Sequence, residues 1–274
     1  MTLLSYDFMR YALFAAVLVG VTAPTVGVYL VQRRLSLIGD GIGHVALAGV
    51  AVGVLTSAAP VLTALAAAVA GAAAVELIRA RGRTSGDLAL ALLFYGGIAG
   101  GVVIISQAPG GTPGNLNAYL FGAITTTTAA DLVVFAVLSL AVLAVTLGLG
   151  RYLFAVSNDE EYAAAAGMPV LRLNLLLAVV TAVTVVIAMR VIGLLLISAL
   201  MIVPVASAQL IARSFRATIL LAALIGLAVS VAGVITSYYA DTPSGGTIVL
   251  FAIAVFVAVA AVRAVRGSLA LSHA

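Results

Sequence analysis

Hydrophobic residues fill long runs of the chain, and polar residues are largely confined to the short segments between them. The apolar runs lie near 9–31, 42–57, 60–78, 88–106, 131–149, 173–189, 191–211, 218–237 and 246–262. A helix crosses the hydrocarbon core of a bilayer in roughly 20 residues, within a range of about 17–25. The runs therefore predict about nine transmembrane helices. Eight is the alternative count, because the second run is short and the sixth and seventh are nearly continuous.

Composition supports this interpretation and excludes a soluble fold. Of the 274 residues, 64% are hydrophobic and only 8% are charged, whereas a soluble domain carries about 25% charged residues. A soluble fold of this composition would lack the polar surface needed to cover itself. We therefore predict an all-α, polytopic bundle that forms a single transmembrane domain over residues 1–274.

The chain contains neither Cys nor Lys. Without Cys it has no disulfide and no thiolate metal site. Without Lys it lacks the residue with which a P-loop contacts the nucleotide phosphates, so any ATP-driven step requires a separate subunit. Signatures of zinc, serine or cysteine hydrolases are also missing, and we predict that the chain is not an enzyme.

The 13 basic residues, all Arg, indicate how the chain is oriented. The net charge is +4, but these residues flank apolar runs, which is typical of topology signals and not of a nucleic-acid surface. With the N-terminus outside, only Arg10 and Arg190 lie outside. The cytoplasmic side then holds Arg33, Arg34, Arg79, Arg81, Arg83, Arg151, Arg172, Arg213, Arg216, Arg263 and Arg266. The positive-inside rule thus predicts an outside N-terminus.

Two connections between the runs have a distinct composition. Residues 107–130 are uncharged and rich in Gly and Pro, and their short apolar patch at 119–124 predicts an outside loop with a brief, re-entrant helix. Residues 150–172 carry acidic residues at 159–161 and then an Ala-rich stretch that ends at Gly167. This pattern predicts a short amphipathic helix on the cytoplasmic side. It is either a docking surface for a soluble partner or an ordinary capped connector.

Small residues recur at four-residue spacing along the predicted spans. Gly49 and Gly53 form one such pair, and Gly96 and Gly100 form another. Small residues at this spacing let two helices approach closely in lipid. The pattern predicts close helix contacts at these positions and carries no information about a substrate.

Asp40 and His44, in the segment SLIGDGIGHVALAG, form the candidate metal site. Residues four apart share one face of a helix, and carboxylate and neutral imidazole are both ligands for zinc and similar metals. Ionisable groups at membrane depth are costly and therefore point to function. A closed zinc site has four ligands, and a symmetric dimer would supply the pair twice. The alternative is structural: Asp40 caps the second span and His44 bonds neighbouring backbone.

Four other polar residues have simpler interpretations. Glu76 lies three residues before Arg79 and predicts a local ion pair. Asp87 precedes the fourth span and is typical of a helix start. Tyr95 is predicted to pack inside the fourth span, with pore lining as the alternative. Asp241 lies in an outside turn.

Five ordered stretches identify a family. The first has the pattern G-D-x-x-x-H-x-x-L-x-G and is formed by Gly39, Asp40, His44, Leu47 and Gly49. The others are AYLFG at 118–122, NDEEYAAAAGM at 158–168, VIGLLLISALMIVPVASAQ at 191–209 and SYYADTPSG at 237–245. With these stretches the chain resembles, over nearly its whole length, the permease subunits of metal-ion ABC importers, which handle zinc, manganese or iron. The layout is also similar, more distantly, to the cobalamin and siderophore permeases.

The resemblance implies a homodimer in the bacterial cytoplasmic (inner) membrane, served by a separate cytoplasmic ABC ATPase subunit and by an extracytoplasmic metal-binding protein. It implies that Asp40 and His44 hold the transported ion transiently, and that residues 151–172 form a coupling segment that contacts the ATPase. The expected cargo is a divalent transition metal, zinc or manganese first, with no permanently bound cofactor. Tyr95 departs from the pattern, because some zinc-type members carry a His there, and the metal is left open.

Two other functions are compatible with the same residues. In a proton-coupled secondary metal transporter, Asp40 and His44 would form a proton relay, and uptake would proceed without an ATPase. Inverted repeats would favour this function, and none is clear in the sequence. In a structural membrane protein, loss of Asp40 would leave transport unaffected.

Overall fold

A computed structural model describes residues 6–82, 86–107, 120–122, 129–189, 192–194 and 196–271. These residues form an all-helical bundle, and the predicted all-α fold is confirmed. The helices are α1 (Asp7–Gln32), α2 (Ile38–Leu55), α3 (Pro60–Ala80), α4 (Gly86–Ser106), α5 (Ala129–Gly148), α6 (Gly150–Asn158), α7 (Glu160–Ala165), α8 (Val170–Met189), α9 (Ile197–Gln209), α10 (Phe215–Ala240) and α11 (Ser244–Leu271).

Eight helices in the described part of the chain are long and apolar enough to cross a membrane. They are α1 to α5, α8, α10 and α11. The seventh predicted run, 191–211, instead contains α9, which has 13 residues. At 1.5 Å per residue α9 is about 20 Å long, shorter than a hydrocarbon core of about 30 Å. The described residues just before α9, 192–194 and 196, are not helical, so this run contains a short helix and not one continuous span.

The central helices of the bundle are α1, α2 and α8. In their most apolar windows 72%, 67% and 61% of the residues are buried, against 17% for both α4 and α11. The peripheral helices carry large apolar side chains on their exposed faces, as contact with lipid requires. The candidate metal residues therefore lie on a helix that is surrounded by others.

The helix α2 begins earlier than the hydrophobic run that predicted it. The run starts at residue 42, whereas α2 starts at Ile38 and places Asp40 in its first turn. A carboxylate near a helix N-terminus interacts favourably with the helix dipole, so the polar Asp40 extends the helix instead of ending it. Both candidate metal residues consequently lie on one regular helix.

The connections agree with the prediction where they are described. Asp159 precedes α7 and its side chain accepts a hydrogen bond from the Tyr162 backbone N–H at 2.9 Å. Gly167, with φ of 77°, follows the end of α7. The short helix in 150–172 is thus confirmed, while docking of an ATPase there stays a prediction. The re-entrant helix predicted at 119–124 lies outside the described residues, apart from 120–122.

Glycines bring α2 into close contact with α3 and α4. A Cβ on Gly49 would lie 2.6 Å from the Thr63 carbonyl oxygen, as the sequence pattern predicted. The prediction for Gly96 and Gly100 is wrong, because a Cβ at either position would meet nothing within 4 Å. The close approach is made by the neighbouring Gly97, where a Cβ would lie 2.6 Å from the His44 carbonyl carbon. Since the two glycines are adjacent, spacing along the chain did not show which one faces α2.

We expect Gly97→Val to destabilise the protein and Gly96→Val to leave its stability unchanged. The new side chain at 97 meets the backbone of His44, and overpacking of this kind costs about 1–3 kcal/mol. The matched substitution at 96 enters open space. Thermal unfolding of both purified variants in detergent tests the difference. Equal melting temperatures would contradict the close packing of α4 on α2.

Candidate metal site in the transmembrane bundle

Asp40 and His44 lie in the first two turns of α2, after a tight turn that follows α1. In this turn the Leu35 backbone N–H donates to the Leu30 carbonyl at 2.9 Å, and Arg34 has φ of 58°. The N-cap of α2 is Leu37, without a side-chain hydrogen bond. Asp40 is therefore not the capping residue of the structural alternative. Its carboxylate makes no hydrogen bond or ion pair within the described part of the chain.

Asp40 lines a cavity of about 620 Å³ between α2 and α4, which we call the Asp40 cavity. One wall is the turn between α1 and α2, and the opposite wall is the first half of α4. The lining residues are Arg34, Leu35, Ser36, Leu37, Asp40, Leu90, Ala91, Phe94 and Tyr95. Leu37 and Tyr95, on its walls, are each 69% exposed, so the cavity opens at the surface of the bundle and holds one acidic and one basic residue among apolar ones.

His44 is buried beside this cavity. Its residue is 7% exposed, and its ring meets the Phe94 ring edge-on with centroids 4.4 Å apart. The Nδ1 atom is buried and has no hydrogen-bond partner among the described groups. Buried polar atoms are nearly always hydrogen-bonded, so one without a partner calls for an explanation. The alternative in which His44 bonds neighbouring backbone does not account for Nδ1.

Asp40 and His44 are one helical turn apart on α2 and are candidate ligands of different kinds, a carboxylate and an imidazole. No group of three or more His, Asp or Glu side chains able to hold a metal occurs among the residues that the structure describes. A metal held by this pair within one chain would therefore need further ligands from water or from another molecule. An open site of carboxylate and imidazole suits manganese and zinc alike.

Phe94 is the residue of this site that the sequence analysis did not single out. It lines the Asp40 cavity and contacts the His44 ring, and so connects the two candidate residues to α4. The signal available in the sequence was weak: Leu90 and Phe94 are four apart and share a helix face. Tyr95 lines the cavity as well, but it is 69% exposed, so the prediction that it packs inside the span is not supported.

The other candidate residues have structural roles. Glu76 pairs with Arg79 at 2.9 Å, as predicted, but it is 3% exposed and also faces Arg33, which the sequence did not indicate. Asp241 ends α10 in the left-handed region, with φ of 50°, and forms the predicted turn. The side chain of Asp87 lies outside the described residues.

Comparison with known proteins assigns the chain to a family. Residues 5–263 match the model of the ABC 3 transport family. The chain is 32% identical over 254 residues to the manganese transport system membrane protein MntC of Halalkalibacterium halodurans, covering 93% of this chain and 87% of that relative. It is 31% identical over 251 residues to the manganese import system permease protein ScaB of Streptococcus gordonii, covering 92% and 90%. The solved structure of PsaBC from Streptococcus pneumoniae in complex with Fab has a TM-score of 0.84 and 30% identity, covering 93% and 91%.

These findings confirm three predictions made from the sequence. The chain is a multi-pass protein of the bacterial cytoplasmic membrane, with eight apolar spans among its described helices. It is a transport subunit and not an enzyme, because its relatives are membrane subunits of transport systems and the ATPase of an ABC transporter is a separate subunit. From its sequence, its fold and its relatives, the chain belongs to the ABC 3 transport family, as a metal-ion permease.

Proposed function

We propose that the chain is the membrane channel of an ATP-driven importer that moves a divalent transition metal into the cytoplasm, with manganese as the first candidate and zinc as the second. The observation that carries the proposal is Asp40 on the wall of the Asp40 cavity, one helical turn from His44, whose buried Nδ1 atom has no hydrogen-bond partner among the described groups. Manganese comes first because MntC and ScaB are named for its transport, and because a carboxylate ligand suits it.

The openness of the site fits a conduit better than a storage site. Conduction requires binding that is favourable enough for an ion to enter and weak enough for it to leave. Two ligands from one chain meet this requirement, whereas a closed four-ligand zinc site would retain the ion. In the proposed homodimer each chain contributes Asp40 and His44, so that two weak half-sites lie along the pathway.

The proposed transport cycle uses two partners. An extracytoplasmic metal-binding protein delivers the ion to the outer face, where the 107–124 and 238–245 segments are predicted to lie. The ion then contacts Asp40 and His44. A cytoplasmic ABC ATPase acts on the coupling segment, residues 151–172, and its cycle opens the pathway to one side of the membrane at a time. This chain supplies no residue for ATP hydrolysis, since it has no Lys for a P-loop.

Uptake of radiolabelled manganese and zinc tests this function. We expect cells that express the permease with its ATPase and delivery protein to accumulate one of the two metals. Replacement of the P-loop Lys in the ATPase should abolish accumulation, and a protonophore applied with ATP maintained should not. The matched control is the same complex with an unaltered ATPase.

The opposite pattern would support the rival function. A proton-coupled secondary transporter accumulates metal without an active ATPase and stops when the proton gradient collapses. Accumulation of neither metal would contradict the assigned cargo.

A further inference from the structure

A network of charged and polar side chains joins the coupling segment to the bundle. Glu160, the first residue of α7, accepts a hydrogen bond from Arg33 Nη2 at 2.6 Å and another from Asn174 Nδ2 at 3.1 Å, both on its Oε1 atom. Arg33 directly follows α1, and Asn174 lies near the start of α8. One carboxylate thus connects the coupling segment to two central helices.

The same Arg33 is held from the other side by α3. Its Nη2 lies 3.4 Å from Glu76 Oε1, and Glu76 Oε2 lies 2.9 Å from Arg79 Nη1. The side chains of Arg33 and Glu76 are only 4% and 3% exposed. Water screens buried charges much less than exposed ones, and removal of one partner leaves a buried charge uncompensated. Arg33 therefore bridges α3 and the coupling segment, and a change at either contact acts on it.

The network continues along the chain to the Asp40 cavity. Arg33 and Arg34 are adjacent, yet the first contacts Glu160 and the second lines the cavity with Asp40. The turn between them and α2 is tight: the Arg34 N–H donates to Val31 O at 3.0 Å, and the Ile38 N–H donates to Leu35 O at 3.1 Å. A turn braced in this way transmits a displacement of Arg33 to α2 instead of absorbing it.

The contact at Glu160 is the one free to change in this network. The Glu160 side chain is 44% exposed, in contrast to the buried Arg33 and Glu76. A cavity of about 480 Å³ lies beside it, between α3 and the start of α8. Glu160 therefore has space in which to move, and the buried Arg33 is the group through which it contacts the end of α1.

We propose that Glu160 is a positioning residue that carries movement of the coupling segment through Arg33 into the turn between α1 and α2, and so into the Asp40 cavity. The proposal rests on the proposed function, because it requires an ATPase that acts on the coupling segment. It adds the route by which ATP hydrolysis reaches the metal pathway. Its physical basis is one carboxylate that contacts the buried Arg33, next to a turn that lines the cavity.

The test is the ratio of ATP hydrolysed to metal transported. The full permease is reconstituted with its ATPase and delivery protein in lipid vesicles, and both quantities are measured in the same vesicles with manganese. Glu160→Gln keeps the size of the side chain but removes the charge that holds Arg33. We expect ATP hydrolysis to continue while the ratio rises by about fivefold or more, the lower end of couplings between linked sites.

A second variant and a control separate coupling from folding. Asn174→Leu removes the other hydrogen bond to Glu160 with little change in volume, and should raise the ratio in the same direction. Asp7→Asn removes a carboxylate from an exposed pair with Arg10, 3.6 Å apart within one helix, and should leave the ratio unchanged. A purely structural role would reduce hydrolysis and uptake in parallel, because less active protein would be present.

Each outcome decides the proposal. An unchanged ratio in both Glu160→Gln and Asn174→Leu, with active wild-type vesicles, overturns the inference and leaves the proposed function standing. If Glu160→Gln fails to assemble, Asn174→Leu alone decides. If wild-type vesicles take up no metal in an ATPase-dependent way, the proposed function fails and this inference fails with it.

Discussion

A His44→Leu permease is expected to fold normally and to lose metal uptake by at least about tenfold, the lower end of the loss that even an outer-shell change causes at metal sites. Leu fills most of the space of the imidazole ring against Phe94. It also removes the buried Nδ1, which has no hydrogen-bond partner among the described groups. Replacing an unsatisfied buried polar group by an apolar one of similar shape is neutral or stabilising. Metal uptake should therefore fall while the thermal stability of the protein is retained or rises.

This divergence separates a metal ligand from a packed histidine. If His44 only filled space in the bundle, Leu would serve equally well and uptake would persist. His44→Ala should also abolish uptake, but it leaves a cavity beside Phe94, so its thermal stability should fall as well. The measurements are manganese uptake by cells and thermal unfolding of the purified protein. Val52→Leu, at a partly exposed position of the same helix, is the matched control and should retain uptake.

Asp40→Asn extends the same experiment to the second ligand. Asn keeps the shape of the side chain but loses the charge that attracts a divalent cation. Because Asp40 lines the cavity and makes no ion pair among the described residues, this change leaves no buried positive charge without its partner. We expect uptake to fall with stability retained. Normal uptake by Asp40→Asn and His44→Leu together would overturn the assignment of the site.

A Glu76→Leu permease is expected to lose about 3–5 kcal/mol of stability, the usual cost of breaking a buried ion pair by removing one partner. Glu76 is 3% exposed and lies between Arg33 and Arg79. Without it, both guanidinium groups remain at the end of the bundle, and the 4% exposed Arg33 keeps only Glu160 as a counter-charge. The expected result is a protein that unfolds at a much lower temperature, or that fails to accumulate in the membrane.

The control for this change is a carboxylate in an exposed ion pair. Asp7 pairs with Arg10 at 3.6 Å, and its side chain is 77% exposed. Exposed pairs contribute little, because water and salt screen them. Asp7→Asn should therefore unfold at the wild-type temperature. A small effect of Glu76→Leu, comparable to that of Asp7→Asn, would show that water reaches the ion network freely.

The ion network also bears on orientation. The positive-inside rule places the end of α1, the end of α3 and residues 150–172 on the same side of the membrane. The structure brings these three parts into contact, through Arg33, Glu76 and Glu160. The positive-inside rule and the tertiary contacts thus agree that these three parts of the chain lie together, although the two arguments rest on different physics.

The sequence alone determined the class of the protein, its spans and its candidate site. Hydrophobic runs long enough to cross a bilayer require helices there, since lipid offers no partners for backbone groups. The pair Asp40 and His44 was visible because charged and polar residues are rare at membrane depth and helix periodicity puts residues four apart on one face. These properties are local, so they can be read along the chain.

Only the tertiary structure decided which surfaces meet. It showed that Gly97 and not Gly96 faces α2, that Phe94 covers His44, and that Glu76 shares Arg33 with Glu160. Arg33 and Glu160 are 127 residues apart, and no periodicity within one helix relates them. Uniformly apolar helices carry little information about which face packs inward, because lipid and protein interior are equally apolar. Contacts between helices therefore depend on side-chain shape and rare polar pairs, which act only once the bundle has formed.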